Sequence, residues 1–169
     1  MKSSLTLLNI VVIGLAAALT IGVQVALSVI PNIELVTLFF ILFTLNFRSK
    51  ALYIIYIFAA VECLIYPPGL WCIAYLYIWT ILYLMVRILR ESSSALFWAV
   101  IGAIYGLLFG TLSSIPYFFT SGVSGGLAYI VAGFGYDLLH CIGNFIVILV
   151  LFKPLNTILG RLPFFTEKQ

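Results

Sequence analysis

The chain has 169 residues, 64% of them hydrophobic and only 8% charged, with a mean hydropathy of +1.26 and a formal net charge of +3. A soluble domain carries about 25% charged residues. This chain has too little polar surface to cover a globule in water, so its solvent is expected to be lipid. The basic residues are read below as topological markers rather than as a nucleic-acid surface.

In chain order, apolar runs predict membrane helices over residues 5–30, 34–47, 51–66, 71–89, 95–119 and 128–152, one single-domain bundle occupying residues 1–169. The first run is too long for an ordinary signal core and lacks a small-x-small cleavage pattern, so it reads as a span. The breaks are "PNIE", "NFRSK", "YPPGL", "RILRESSS" and "TSGVSGG", rich in residues that end helices. Ser92, Ser93 and Ser94 are suited to cap the fifth helix.

The cations set the sidedness. Lys2 precedes span one, Arg48 and Lys50 follow span two, and Arg87 and Arg90 follow span four. Lys153, Arg161 and Lys168 follow span six. Six spans put every lysine and arginine on one side, whereas five or seven scatter them. The expected fold is therefore an all-α, polytopic membrane protein of six transmembrane helices with both termini cytoplasmic.

On that topology Pro31, Asn32 and Glu34 of "PNIELV" lie at the outer face. Glu34 there can cap the second helix, gate a cavity or touch a ligand, and a carboxylate at a helix N-terminus is favoured by the dipole. Glu62 lies about one turn below the outer end of span three, roughly 6 Å deep. Asp137 lies roughly 10 Å down span six, and Gln24 sits at similar depth in span one. Ionisable groups in lipid usually face a partner or a cavity. In "GFGYDLLHCIGNF", Asp137, His140 and Asn144 recur at three and four residues and make one polar stripe. That stripe can be a hydrogen-bond network between helices, one side of a ligand cavity, or a proton relay. Tyr66, Trp71, Tyr75 and Tyr117 add an aromatic rim that suits either the lipid interface or a solute. Gly122, Gly125 and Gly126 make the loop above them a candidate gate.

Two helices carry small residues every fourth position: Gly14, Ala18, Gly22 and Ala26 in span one, and Gly102, Gly106, Gly110 and Ser114 in span five. Such faces let backbones approach closely in lipid. Span five is read as packing inside the bundle. Span one, widened by Ala16 and Ala17, is read as an outward docking face for a partner. Cys63, Cys72 and Cys141 have no metal-binding spacing and are read as small apolar side chains. The chain shows no P-loop, HExxH or GxSxG, so no catalytic residue, metal site or cofactor is expected and the chain is not read as an enzyme.

The size, six spans, small-residue first helix and loaded outer face, with "PNIELVTLFFILFT", "DLLHCIGNF" and "LVLFKPL", resemble the substrate-binding (S) components of energy-coupling factor vitamin transporters. The likeness runs from about Leu5 to Leu155. It implies a multi-pass protein of a bacterial plasma membrane that binds a vitamin outside and delivers it inward. A transmembrane coupling subunit and two cytoplasmic ATPases would be the partners, docking on Gly14, Ala18, Gly22 and Ala26. The flavour of "PNIEL" and "DLLHCIGNF" is closest to the cobalamin branch, then pantothenate, while three outer carboxylates leave a cation such as thiamine open. The alternative is a non-transporting scaffold of the MreD cell-shape type, with outer polar groups that only join helices.

Overall fold

The computed structural model describes residues 6–30 and 33–162. These residues form helices and connecting turns, with no strand among them: α1 (Leu7–Leu27), α2 (Val36–Phe47), α3 (Ala51–Ile65), α4 (Leu70–Leu89), α5 (Ala95–Ser113) and α6 (Ile115–Gly160). Five segments are long and apolar enough to cross a membrane, residues 36–65 counting as one. Lys2, Asn32, Glu167 and Lys168 lie outside the described residues.

Within residues 36–65 the chain reverses. A short 3-10 turn at Arg48–Lys50 begins with Arg48 at φ 52°, in the left-handed region that non-glycine residues rarely occupy. Beyond it α3 returns along α2, and the rings of Phe40 and Phe58 meet edge to face at 5.3 Å. With 12 residues, α2 rises only about 18 Å. Nearly all of it is buried, from Val36 through Thr44 and at Phe47, so it forms the bundle's centre, packed against α3, α4 and α6.

Ser94 caps α5, its side chain accepting a hydrogen bond from the Phe97 N–H at 3.3 Å. The "TSGVSGG" segment, expected to be a loop, is helical on either side of one break. Gly122 alone leaves helical geometry, at φ 69°, a conformation that glycine adopts without a Cβ penalty. Residues 115–121 thus extend the α5 arm, and residues 123–160 return along it. The Tyr117 and Tyr129 rings stack across the two arms at 4.3 Å. A Cβ at Gly126 would overlap the Phe118 ring, and one at Gly125 would overlap Ser121, so these glycines let the arms close.

Below the tip, the small residues of α5 meet the polar stripe of α6. Asp137 Oδ1 accepts from the Gly110 N–H at 2.9 Å, and Asn144 Nδ2 donates to the Gly102 carbonyl at 3.3 Å. A Cβ on Gly106 would come within 2.9 Å of the His140 carbonyl carbon and oxygen. Farther down, the Trp98 and Phe152 rings stack at 6.3 Å. α6 continues through Pro154, past the end expected at residue 152, and Asn156 Oδ1 there accepts from Asn46 Nδ2 at 2.9 Å. Tyr77 and Tyr105 tie α4 to α5 by donating to the Leu112 carbonyl at 2.6 Å and from α5 to the Ile78 carbonyl at 3.0 Å.

α1 is peripheral and packs mainly on α3. Asn9, Ile13, Ala16, Ala17 and Thr20 form its buried side. Gly14, Ala18, Gly22 and Ala26 are exposed on the other side, where a Cβ at Gly14 or Gly22 would meet nothing within 4 Å. Ala16 and Ala17 therefore do not widen the outward face; they face the bundle.

Arg48, Arg87 and Arg90 converge with Glu91 at one end of the bundle, and the end of α6 packs beside Asn46 there. The opposite end contains the last turns of α1 and α3 and the first turns of α2 and α4.

Candidate functional site

That opposite end holds a cavity of about 430 Å³, walled by all the helices except the 115–121 arm and the far half of α6. Its polar groups are Gln24 and Ser28 from α1 and the segment after it, Glu34 before α2, Glu62 near the end of α3, and His140 from α6. Its walls are largely aromatic: Phe58, Tyr66, Trp71, Tyr75, Trp79 and Phe109.

Glu34 is placed by its own helix. Both carboxylate oxygens accept from the Thr37 N–H, at 3.2 and 3.1 Å, and Oε1 also accepts from the Thr37 hydroxyl. This satisfies a first-turn N–H of α2 that has no partner within the helix, the local role of a carboxylate at a helix start. The same Oε1 lies 3.0 Å from His140 Nε2, and both side chains are almost wholly buried. His140 comes from the far side of the bundle, and its ring packs edge-on against Phe109 at 5.0 Å. Glu34 thus joins the α1–α2 connection to α6. Glu34→Ala is expected to destabilise the protein by about 1–2 kcal/mol through the lost cap alone. Glu91→Ala, at an exposed pair with Arg90, should change stability by less than about 0.5 kcal/mol. Parallel thermal denaturation of the detergent-solubilised variants compares them, and equal losses would contradict the capping role.

Glu62 is held differently. It is 3% exposed, and its Oε1 has no hydrogen-bond partner among the described residues. Gln24 Oε1 and Trp79 Nε1 are likewise buried without a partner there. All three residues line the same cavity. A buried polar atom left unpaired costs about 1–3 kcal/mol. Three around one space each call for a partner there, from ordered water or a solute.

The ring wall is one stripe of α4. Trp71, Tyr75 and Trp79 follow at four-residue spacing, with edge-to-face contacts of 5.2 and 5.6 Å between successive rings. Trp71 Nε1 donates to the Pro67 carbonyl at 3.1 Å, so its polar atom is already engaged. Phe109 closes the wall from α5, 5.5 Å from Trp79.

Of the residues singled out from sequence, Gln24, Glu34, Glu62, Tyr66, Trp71, Tyr75 and His140 come together around this cavity. Asp137, Asn144 and Tyr117 do not. Asp137 and Asn144 face the glycines of α5, and Tyr117 stacks on Tyr129 near the hairpin tip. The physical reason is the glycine seam: the absent Cβ atoms bring α6 so close that its polar groups meet α5 backbone instead of open space. Asn32 lies outside the described residues. Gly122, Gly125 and Gly126 sit at the helical hairpin tip and not among the cavity-lining residues.

Sequence reasoning did not single out Trp79, Phe58 or Phe109. The four-residue recurrence from Trp71 through Tyr75 was the available signal for Trp79. Phe58 and Phe109 are indistinguishable in sequence from ordinary core phenylalanines. Among the described residues no group of histidine, cysteine, aspartate and glutamate side chains could hold a metal ion, and Cys63, Cys72 and Cys141 are free thiols. The lining offers carboxylate and amide acceptors, donors on Gln24, Trp79 and the tyrosine hydroxyls, and aromatic ring faces. No family model, curated protein or solved structure matches the chain.

Proposed function

We propose that the chain is the substrate-binding subunit of a membrane importer of the energy-coupling factor type, with six spans, both termini cytoplasmic and residence in a bacterial plasma membrane. The single observation that carries the solute-binding part is the convergence of unpartnered Glu62, Gln24 and Trp79 atoms on one aromatic-walled cavity. The clustered Arg48, Arg87 and Arg90 lie at the other end. The positive-inside rule makes that end cytoplasmic and turns the cavity outward. The exposed small face of α1, with Gly14, Ala18, Gly22 and Ala26, is the proposed docking surface for a coupling subunit. In this reading two cytoplasmic ATPases supply the energy and this chain supplies selectivity.

The cavity volume, about 430 Å³, falls in the range of sites for drug-sized solutes. That favours a vitamin smaller than cobalamin. Calorimetric titration of the purified full chain in detergent with thiamine, pantothenate, riboflavin, folate and cobalamin tests the proposal. One of them should bind saturably with sub-micromolar affinity, and Glu62→Ala should weaken it about tenfold or more. Well-folded protein that binds none of the five would instead support the non-transporting scaffold of the MreD type, in which these polar groups only join helices.

A further inference from the structure

We infer that the cavity selects an organic cation: a flat or compact solute whose positively charged, N–H-bearing end sits on Glu62 and Gln24 against the Trp71–Tyr75–Trp79 wall. This rests on the solute-binding reading and specifies its substrate class.

The charge inventory is one-sided. Two carboxylates, Glu34 and Glu62, line the cavity, and no lysine or arginine lines it among the described residues. Arg48, Arg87 and Arg90 are gathered at the opposite end, where they cannot pair with a bound anion. The two carboxylates are not equivalent. Glu34 is occupied by Thr37 and His140, whereas Glu62 retains an oxygen with no partner. A carboxyl group that is 3% exposed, with Oε1 unpartnered among the described residues, is disfavoured beside an anion and is held ionised by a cation that donates to it.

The neutral groups point the same way. The buried Gln24 Oε1 lacks a partner among the described residues and, as placed, accepts beside Glu62 from a solute end that donates, while the amide nitrogen can donate elsewhere on the solute. Ser28 already directs its hydroxyl to the Val25 carbonyl at 2.8 Å, and the Trp71 N–H is spent on Pro67. Trp79 Nε1 is a fully buried donor without a partner among the described residues, and it calls for an acceptor elsewhere on the solute. Aromatic faces attract a desolvated cation through the ring quadrupole, and tryptophan does so most strongly. A neutral solute would gain the stacking but would leave the Glu62 charge without its complement.

The test uses three probes of one shape and different charge: benzamidine (cationic), benzamide (neutral) and benzoate (anionic). Each is titrated into the wild-type full chain in detergent, with binding read by ligand-observed NMR and by tryptophan fluorescence. Benzamidine is expected to bind about tenfold tighter than benzamide, with benzoate weaker still. Glu62→Gln, which keeps the shape and removes the charge, should reduce the benzamidine preference to about twofold or less. The wild-type comparison stands even if that variant does not fold. Equal binding of the three probes, binding of none, or a preference that survives Glu62→Gln overturns the inference. Saturable binding of an anionic or neutral vitamin would overturn it while leaving the solute-binding reading in place, whereas absence of every probe and every vitamin removes both.

Discussion

Trp79→Ala is expected to be among the most destabilising single substitutions in the chain, lowering stability by about 3 kcal/mol or more. The indole is 2% exposed at the middle of α4 and touches rings from three other helices: Phe40 at 5.1 Å, Phe58 at 6.1 Å, and Tyr105 and Phe109 of α5 at 6.1 and 5.5 Å, besides Tyr75 on its own helix. In lipid the transfer part of the usual large-to-small penalty shrinks, because hydrocarbon solvates an indole well. The cavity part remains, since the ring contacts are lost and the surrounding helices close only partly. Phe40 and Phe58 lie in α2 and α3, so the loss also loosens the central hairpin. Trp71→Ala, at the rim of the same stripe, is the matched comparison and should lose about half as much or less. Differential scanning calorimetry of the two solubilised variants decides, and equal losses would show that Trp79 is not the packing centre.

Gly106→Ala is expected to destabilise by about 1–3 kcal/mol, against the usual sign of a glycine-to-alanine change in a helix. Helix propensity alone would favour alanine by about 1 kcal/mol. The contact outweighs it, because a Cβ at Gly106 would meet His140 carbonyl atoms at 2.9 Å and the Cys141 nitrogen at 3.0 Å. Those atoms belong to the backbone and cannot rotate away as a side chain can. α5 and α6 must separate, which stretches the Asp137–Gly110 and Asn144–Gly102 hydrogen bonds on either side. Gly14→Ala and Gly22→Ala meet nothing within 4 Å and should be neutral or slightly stabilising in the isolated chain. Melting temperatures of the three variants should therefore split by helix, and a stabilising Gly106→Ala would disprove the close approach.

The helices were legible because lipid imposes a coarse rule: apolar runs of a given length, broken by proline, glycine and charge. The boundaries of α3 and α4 came within a residue of expectation for that reason. The reading of "TSGVSGG" as a loop does not hold, because glycine content by itself does not mean a lack of helix. Here only Gly122 turns the chain, while Gly125 and Gly126 serve the fit between two helical arms. The polar stripe of α6 was visible as a stripe, but its division was not. Periodicity places Asp137, His140 and Asn144 on one face without saying that Asp137 and Asn144 would meet α5 backbone. Nor does it say that the His140 ring would reach Glu34, more than a hundred positions away. Pairings between helices are set by how all of them pack, and a single sequence records that only indirectly. Glu34 needed only its own neighbourhood, which is why its capping role could be anticipated from six residues.

The brevity of α2 has a consequence for how the protein is made. At about 18 Å it falls short of the roughly 30 Å hydrocarbon layer, so it cannot stand alone across a bilayer while the ribosome continues. Its return arm, helix α3, must enter with it, the two arms inserting together as a single hairpin that turns at Arg48–Lys50. The deepest part of the finished bundle is therefore threaded early, before α4 and α6 have been synthesised to enclose it. Until then only α1 and lipid surround a segment destined to touch almost no lipid.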